Sequence, residues 1–383
     1  MVLFIKAAGS HAEMGEQEGT QLREKIHAAL EEVFHSDVMM QAKPKGVPLG
    51  IVKWALGLIA KRNTAKPIQL LLPHQFAKMQ GIAKGSGQKM GIIYAAQFIE
   101  TYFGNPKTSY VTPPSQGCSQ LFALPEATTD ESLFFARNFD FPNILQPIQV
   151  VREESPSDGF RTLTMSLFVM AGAHMGLNEK GLAIGVNYGR SWKKNPLDYR
   201  FTGVPSLLIL QEILETCETV EKVIQFVTKF PARAHGFHFG VVDETGDACV
   251  IETTATRHAI RRPDGGIMAH TNHYQTPELT DANVPDDILW QFKGFQVPYI
   301  QSPRERYERE IEMLDQARGH ITIDTLKTIL RDHRGGEGTD FTPCVHGPVG
   351  STLASIIIKP RTRQMWVTDT QPCLMEYEEF TLS

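Results

Sequence analysis

From residue 10 onward the apolar positions fall at helical intervals, with Leu22, Ile26, Leu30 and Val33 forming one stripe. The stretch "SHAE" at 10–13 is a capping box: Ser10 caps the helix start and Glu13 reaches back to it. A second helical stretch is predicted over 67–103. Inside it "GIAKGSGQKMG" is rich in glycine, but no strand precedes it, so close helix packing or a break near Ser86 accounts for the glycines better than a phosphate loop. Residues 1–117 therefore read mainly as helix.

After Pro113 and Pro114 the pattern changes to short apolar runs separated by turn residues. Strands are predicted at 118–124, 133–140, 162–170, 182–187, 236–243, 248–253, 266–270, 352–358 and 364–369. The first two are spaced as a hairpin. Helices are predicted at 204–216, 219–229, 304–317 and 322–331; Thr219 and Thr322 suit N-caps, and Pro231 stops the second. Groups of strands alternating with groups of helices favour an α+β layered domain over a parallel β/α alternation. The one boundary the chain announces lies just before Cys118, dividing it into 1–117 and 118–383.

Composition narrows the function classes. A chain of 383 residues with 42% apolar content can bury a substantial core. The net charge of −5, without long runs of either sign, offers no basic stripe for nucleic acid and no polybasic membrane tag. The start "MVLFIKAAGSH" lacks the basic region of a secretory signal, which makes a cytoplasmic location the expectation. The most apolar window, "GIVKWALGLIAKRN", is interrupted by Lys53 and is too short for a membrane span. The five cysteines (Cys118, Cys217, Cys249, Cys344 and Cys373) are scattered, with no C-x-x-C pair, so neither a zinc knuckle nor a disulfide framework is expected.

One cysteine stands apart. In "TPPSQGCSQLF", at 112–122, two prolines and a glycine break the chain immediately before Cys118. Were the Gly117–Cys118 bond cut, Cys118 would carry a free α-amine, which titrates near 7.7–8.0 and can take the proton of its own thiol. Gly117 would then supply backbone freedom at the cut. The alternative is a packed strand cysteine. Downstream, "FFARNFDF" places Arg137 and Asp140 in an apolar run; a guanidinium favours a thiolate and a carboxylate can hold an α-ammonium. A structural Arg137–Asp140 ion pair is the other reading.

"GC" followed at hairpin distance by "ARNFDF" resembles the cysteine N-terminal nucleophile hydrolases of the acyl-coenzyme A:isopenicillin N acyltransferase family, relatives of the choloylglycine and penicillin V hydrolases. "GSHAEMGEQEG", "GLNEKGLAIGVNYG", "AHTNHY", "SPRERYERE" and "STLASIIIKPRTRQMWV" stand in that family's order. The resemblance implies a four-layer αββα sandwich and a self-processing enzyme active on linear non-peptide amides. It assigns Cys118 as nucleophile, Arg137 and Asp140 as tuning and orienting groups, Asn272 and Asn187 as oxyanion-site residues, and Arg306 as a further active-site arginine. Arg304, two residues earlier, is the competing assignment. Residues 1–117 would be a propeptide or small subunit, retained as a partner after cleavage. No cofactor or metal is implied. The partners expected are a small-molecule amide or acyl donor, with no nucleic acid and no membrane; homo-oligomer formation is compatible with the sequence.

Other constellations weigh less. His235 with His238, and His270 with His273, are each three apart, but near strands such residues face opposite sides and share one metal poorly. The glycine-rich loop 331–347 could border a site, although Cys344 within it has no marked base. The rival functions are a silent binding or scaffold protein on the same fold and a metal-dependent hydrolase.

Overall fold

The computed structural model describes residues 1–36, 39–40, 43–99, 117–192, 198–292, 295–347 and 350–383, with backbone only at 290–292 and 295–297. The Pro113–Pro114 break lies outside the described residues. Two large sheets form the body. The first runs in the order β1 (Phe4–Gly9), β4 (Gln149–Pro156), β5 (Thr162–Leu167), β6 (Met175–Asn178), β7 (Ala183–Tyr188), β8 (Phe237–Val242), β9 (Ala248–Thr253), β10 (His258–Arg261). The second runs β11 (Ile267–His270), β2 (Cys118–Ala123), β3 (Phe134–Pro142), β14 (Gly350–Lys359), β15 (Gln364–Thr368), β16 (Glu378–Thr381). A small hairpin joins β12 (Leu289–Phe292) to β13 (Phe295–Pro298).

Period-two alternation decides which side chains go where. In the β2–β3 hairpin Phe122 faces Phe135 and both enter the core between the sheets, while Leu121 and Ala136 point the other way. On that outer face lie α8 (Gln301–Gln316) and α9 (Ile323–Leu330), which contribute Leu314, Leu326 and Ile329. The opposite sheet is covered by α1 (His11–Gln21), α6 (Ser206–Thr216) and α7 (Val220–Lys229). The chain is thus an α+β four-layer αββα sandwich. Because both faces of each sheet are covered, the inner strands are buried along their whole length.

The N-terminal segment is built into this body. Its helices are α1, α2 (Arg23–His35), α3 (Leu49–Leu71), α4 (Pro73–Ser86) and α5 (Met90–Gln97), and the Ser10 capping box forms. The helical reading of this segment missed β1, which pairs in parallel with β4, Phe4 opposite Val151. It also missed β4, because "VVREESP" carries three charges that only tertiary partners satisfy. Arg152 Nη1 lies 3.2 Å from Glu18 Oε1 on α1, and Lys78 Nζ of α4 lies 2.5 Å from Glu154 Oε1, all four residues buried. The glycines pack α1 against α4 backbone to backbone: a Cβ at Gly81 would lie 2.2 Å from Ala12 O, and one at Gly15 2.2 Å from Lys78 O. The short strands β6, β10, β12, β13 and β16 also escaped the sequence pattern. Among the described residues no helix is long and apolar enough to cross a membrane.

Candidate active site

Cys118 opens β2, with Phe139 of β3 directly opposite, so the hairpin brings residue 137 beside the thiol. Arg137 is 1% exposed, and its Nη2 donates to Cys118 Sγ at 2.8 Å and to Val186 O at 2.6 Å. Its guanidinium also lies 5.1 Å from the centroid of the Phe139 ring. Arg137 Nε approaches Asn187 Oδ1 at 3.4 Å. Cys118 is 5% exposed at the edge of the apolar core, and the Arg137 contact sets a cation against its sulfur, an arrangement that favours negative charge there.

Gly117 occupies a slot between Asn272 and Arg306. A Cβ there would fall 2.2 Å from Asn272 Oδ1 and 2.4 Å from Arg306 Nη2. Lack of room at this position is enough to exclude a side chain. The peptide that follows is held on both sides. Asp140 N–H donates to Gly117 O at 3.0 Å, and Cys118 N–H donates to Asn272 Oδ1 at 3.1 Å. Asn272 Oδ1 also accepts from Arg306 Nη2 at 2.8 Å, and its Nδ2 donates to Tyr188 O at 2.9 Å. Asn187 Nδ2 is directed at the carbonyls of Cys118, His270 and Thr271, at 3.0–3.1 Å. With the Gly117–Cys118 peptide intact, both asparagine amide groups are engaged with backbone, and Asn272 serves as an acceptor.

Arg137 and Asp140 do not pair with each other. Asp140 Oδ1 accepts from Thr352 Oγ1 at 2.7 Å, and Oδ2 lies 3.6 Å from Arg306 Nη1. Burial pushes the Asp140 carboxyl up to about 6; Arg306, Thr352 and Arg137 pull it back. Arg306 also donates to Ser119 Oγ at 2.9 Å. The two arginines face opposite ways: Arg306 is fully buried beside Asp140 and Asn272, whereas Arg304 points outward to Asp286 at 2.7 Å.

Four further residues join the cluster without having been singled out in the sequence: Ser119, Thr352, Glu310 and Arg190. Burial drives the Glu310 carboxyl up to about 8, with Arg306 and Ser119 opposing, and drives the Arg190 guanidinium down. A signal for Glu310 was present: Ser302, Arg306, Glu310 and Leu314 recur every fourth residue and form the buried stripe of α8. Of the two histidine pairs, only His238 on β8 and His270 on β11 lie in strands; His235 and His273 sit just outside them. His238 and His270, one from each pair, meet edge to face with centroids 4.6 Å apart, and burial depresses both.

A family profile described as acyl-coenzyme A:6-aminopenicillanic acid acyl-transferase matches residues 127–373, which include Arg137, Asp140, Asn187, Asn272 and Arg306. The chain belongs to this family. A curated relative, an uncharacterized protein of Archaeoglobus fulgidus, is 23% identical over 327 residues, covering 74% of this chain and 52% of its own. The chain therefore spans about half the length of that relative. Among solved structures, the Caenorhabditis elegans ortholog of N-acylethanolamine-hydrolyzing acid amidase superposes with a TM-score of 0.44 at 12% identity, covering 64% of this chain and 93% of that one. A conjugated bile acid hydrolase from Clostridium perfringens gives 0.43 at 14% identity, covering 70% and 97%.

Proposed function

We propose that the chain is a self-processing cysteine amidase or N-acyltransferase whose nucleophile is Cys118. The observation that carries this reading is the geometry around one peptide bond. The thiol meets the Arg137 guanidinium, the carbonyl oxygen just before it accepts a backbone N–H, and the residue bearing that carbonyl has no room for a side chain.

In processing, Cys118 Sγ attacks the Gly117 carbonyl carbon, and the developing oxyanion is held by Asp140 N–H. The C–N bond breaks as the nitrogen takes the proton lost by the thiol, leaving a thioester. One water then hydrolyses it to a Gly117 carboxylate and a free thiol. Asp140, whose backbone pairs with Gly117, holds the new α-ammonium in this reading; in the uncut chain its Oδ2 accepts no hydrogen bond among the described residues.

In turnover the α-amine takes the thiol proton and the sulfur attacks a substrate amide carbonyl. The leaving amine is protonated by the α-ammonium, and the acyl group stays on sulfur. Water completes a hydrolase and an amine completes an acyltransferase. Residues 1–117 remain bound after cleavage in this reading, because β1 is hydrogen-bonded into the first sheet and Glu18 and Lys78 complete buried ion pairs with Arg152 and Glu154.

Intact-mass measurement and N-terminal sequencing test the proposal. Active protein should contain a chain beginning at Cys118, with fragments of about 13 and 30 kDa, and Cys118→Ala should stay whole and inactive. Turnover by a chain still joined at Gly117–Cys118 would overturn it.

A further inference from the structure

Away from Cys118, the loop after α9 and the segment between β15 and β16 bring together His333, Cys344, His346 and Cys373. One nitrogen or sulfur from each lies within 4.8 Å of every other. Cys344 Sγ is 3.6 Å from Cys373 Sγ and 3.4 Å from His346 Nε2, and His346 Nε2 is 3.3 Å from Cys373 Sγ. With Zn–S near 2.3 Å and Zn–N near 2.0–2.1 Å, a tetrahedron has S–S edges of about 3.8 Å and S–N edges of about 3.6 Å. The three separations therefore already approximate the edges of a zinc tetrahedron.

The fourth corner is prepared as well. The His333 ring meets the His346 ring edge to face with centroids 4.9 Å apart, and His333 Nε2 is buried without a hydrogen bond. The loop is closed tightly around the pair: a Cβ at Gly338 would fall 2.2 Å from His346 Cδ2 and 3.1 Å from His333 Nε2. Backbone bonds from Cys344 N to Asp332 O and from His346 N to Thr339 O fix the loop's shape.

We propose that His333, Cys344, His346 and Cys373 bind one zinc ion in a closed structural site. Two thiols release their protons on binding, and two thiolates with two neutral imidazoles balance the dication. Four protein ligands leave no open position for substrate or water, so the ion acts as a clasp between the 333–346 loop and the C-terminal segment. The clasp bears on the active site through Val345, which lies between two ligands. Its N–H donates to Thr352 Oγ1 at 2.9 Å, its carbonyl accepts from Thr352 N, and Thr352 Oγ1 in turn donates to Asp140. The site carries no C-x-x-C pair, so the cysteine spacing gives no sign of it.

The full-length chain, expressed with zinc and passed through chelator-treated buffer, should retain about one zinc per chain by elemental mass spectrometry. Replacement by cobalt(II) should give thiolate-to-cobalt charge-transfer absorption and the intense visible bands of a tetrahedral ion. Cys373→Ser, at an exposed position, should weaken zinc retention at least tenfold, and Cys118→Ala should leave it unchanged, which separates this site from the proposed chemistry of Cys118. Should Cys373→Ser fail to fold, the zinc content and cobalt spectrum of the unaltered chain decide. A zinc-free chain lacking the tetrahedral cobalt spectrum, or a Cys344–Cys373 disulfide mapped in the native protein, would overturn the proposal.

Discussion

Glu310 gives the sharpest quantitative handle on the site. It is fully buried on α8, and burial outweighs Arg306 and Ser119, raising its carboxyl from 4.5 to about 8. The folded chain therefore keeps this proton at pH values where the unfolded chain has lost it. Native protein binds more protons between the two values, so its stability falls as pH rises across that window. The contribution is fully present below pH 4.5 and gone above about 8. At about 1.4 kcal/mol per tenfold change in proton affinity, the gap corresponds to about 5 kcal/mol in total and about 3 kcal/mol by pH 7. Glu310→Gln replaces the protonated acid by a neutral group of the same shape and removes this dependence. The comparison is made in a Cys118→Ala background, so that the Gly117–Cys118 bond stays intact. Urea unfolding followed by circular dichroism at half-unit pH steps should give stabilities that nearly coincide at pH 4.5 and diverge above it, the glutamine form ending higher by several kcal/mol at pH 9. Parallel curves across that range would refute the reasoning.

Four other substitutions probe separate features. Gly117→Ala should block processing and lower stability by about 1–3 kcal/mol through overpacking against Asn272 and Arg306; intact mass and a thermal midpoint report both, and wild-type cleavage would contradict the slot. Arg306→Ala, which strips a buried cation from Asp140, should cost about 3–5 kcal/mol and abolish processing. Arg304→Ala, at an exposed pair, should cost about 0–1 kcal/mol and leave processing intact by the same measurements. Gly81→Val should part α1 from α4 and lower the urea midpoint of the whole chain, since the Ala12 carbonyl is backbone and cannot rotate away.

Local chemistry settled a good part of this protein. The Ser10, Thr219 and Thr322 caps, the β2–β3 hairpin, and strands such as Ala248–Thr253 followed from periodicity and turn residues alone, because each depends on groups only a few positions apart. Cys118, Gly117, Arg137 and Asp140 could be picked out for the same reason: a broken chain before a thiol and charges in an apolar strand are visible in one dimension. Charges whose partners lie far off in sequence were not legible. β4 carries Arg152 and Glu154, which make sense only once Glu18 and Lys78 arrive from helices more than sixty positions away. Likewise Arg304 and Arg306 are equivalent in the sequence until packing turns one side of α8 inward, and the ligand atoms of His333, Cys344, His346 and Cys373 converge only after two loops fold against each other. Periodicity fixes which face a residue occupies, while burial and distant partners decide what that face meets, and the acid–base character of the site comes from the second.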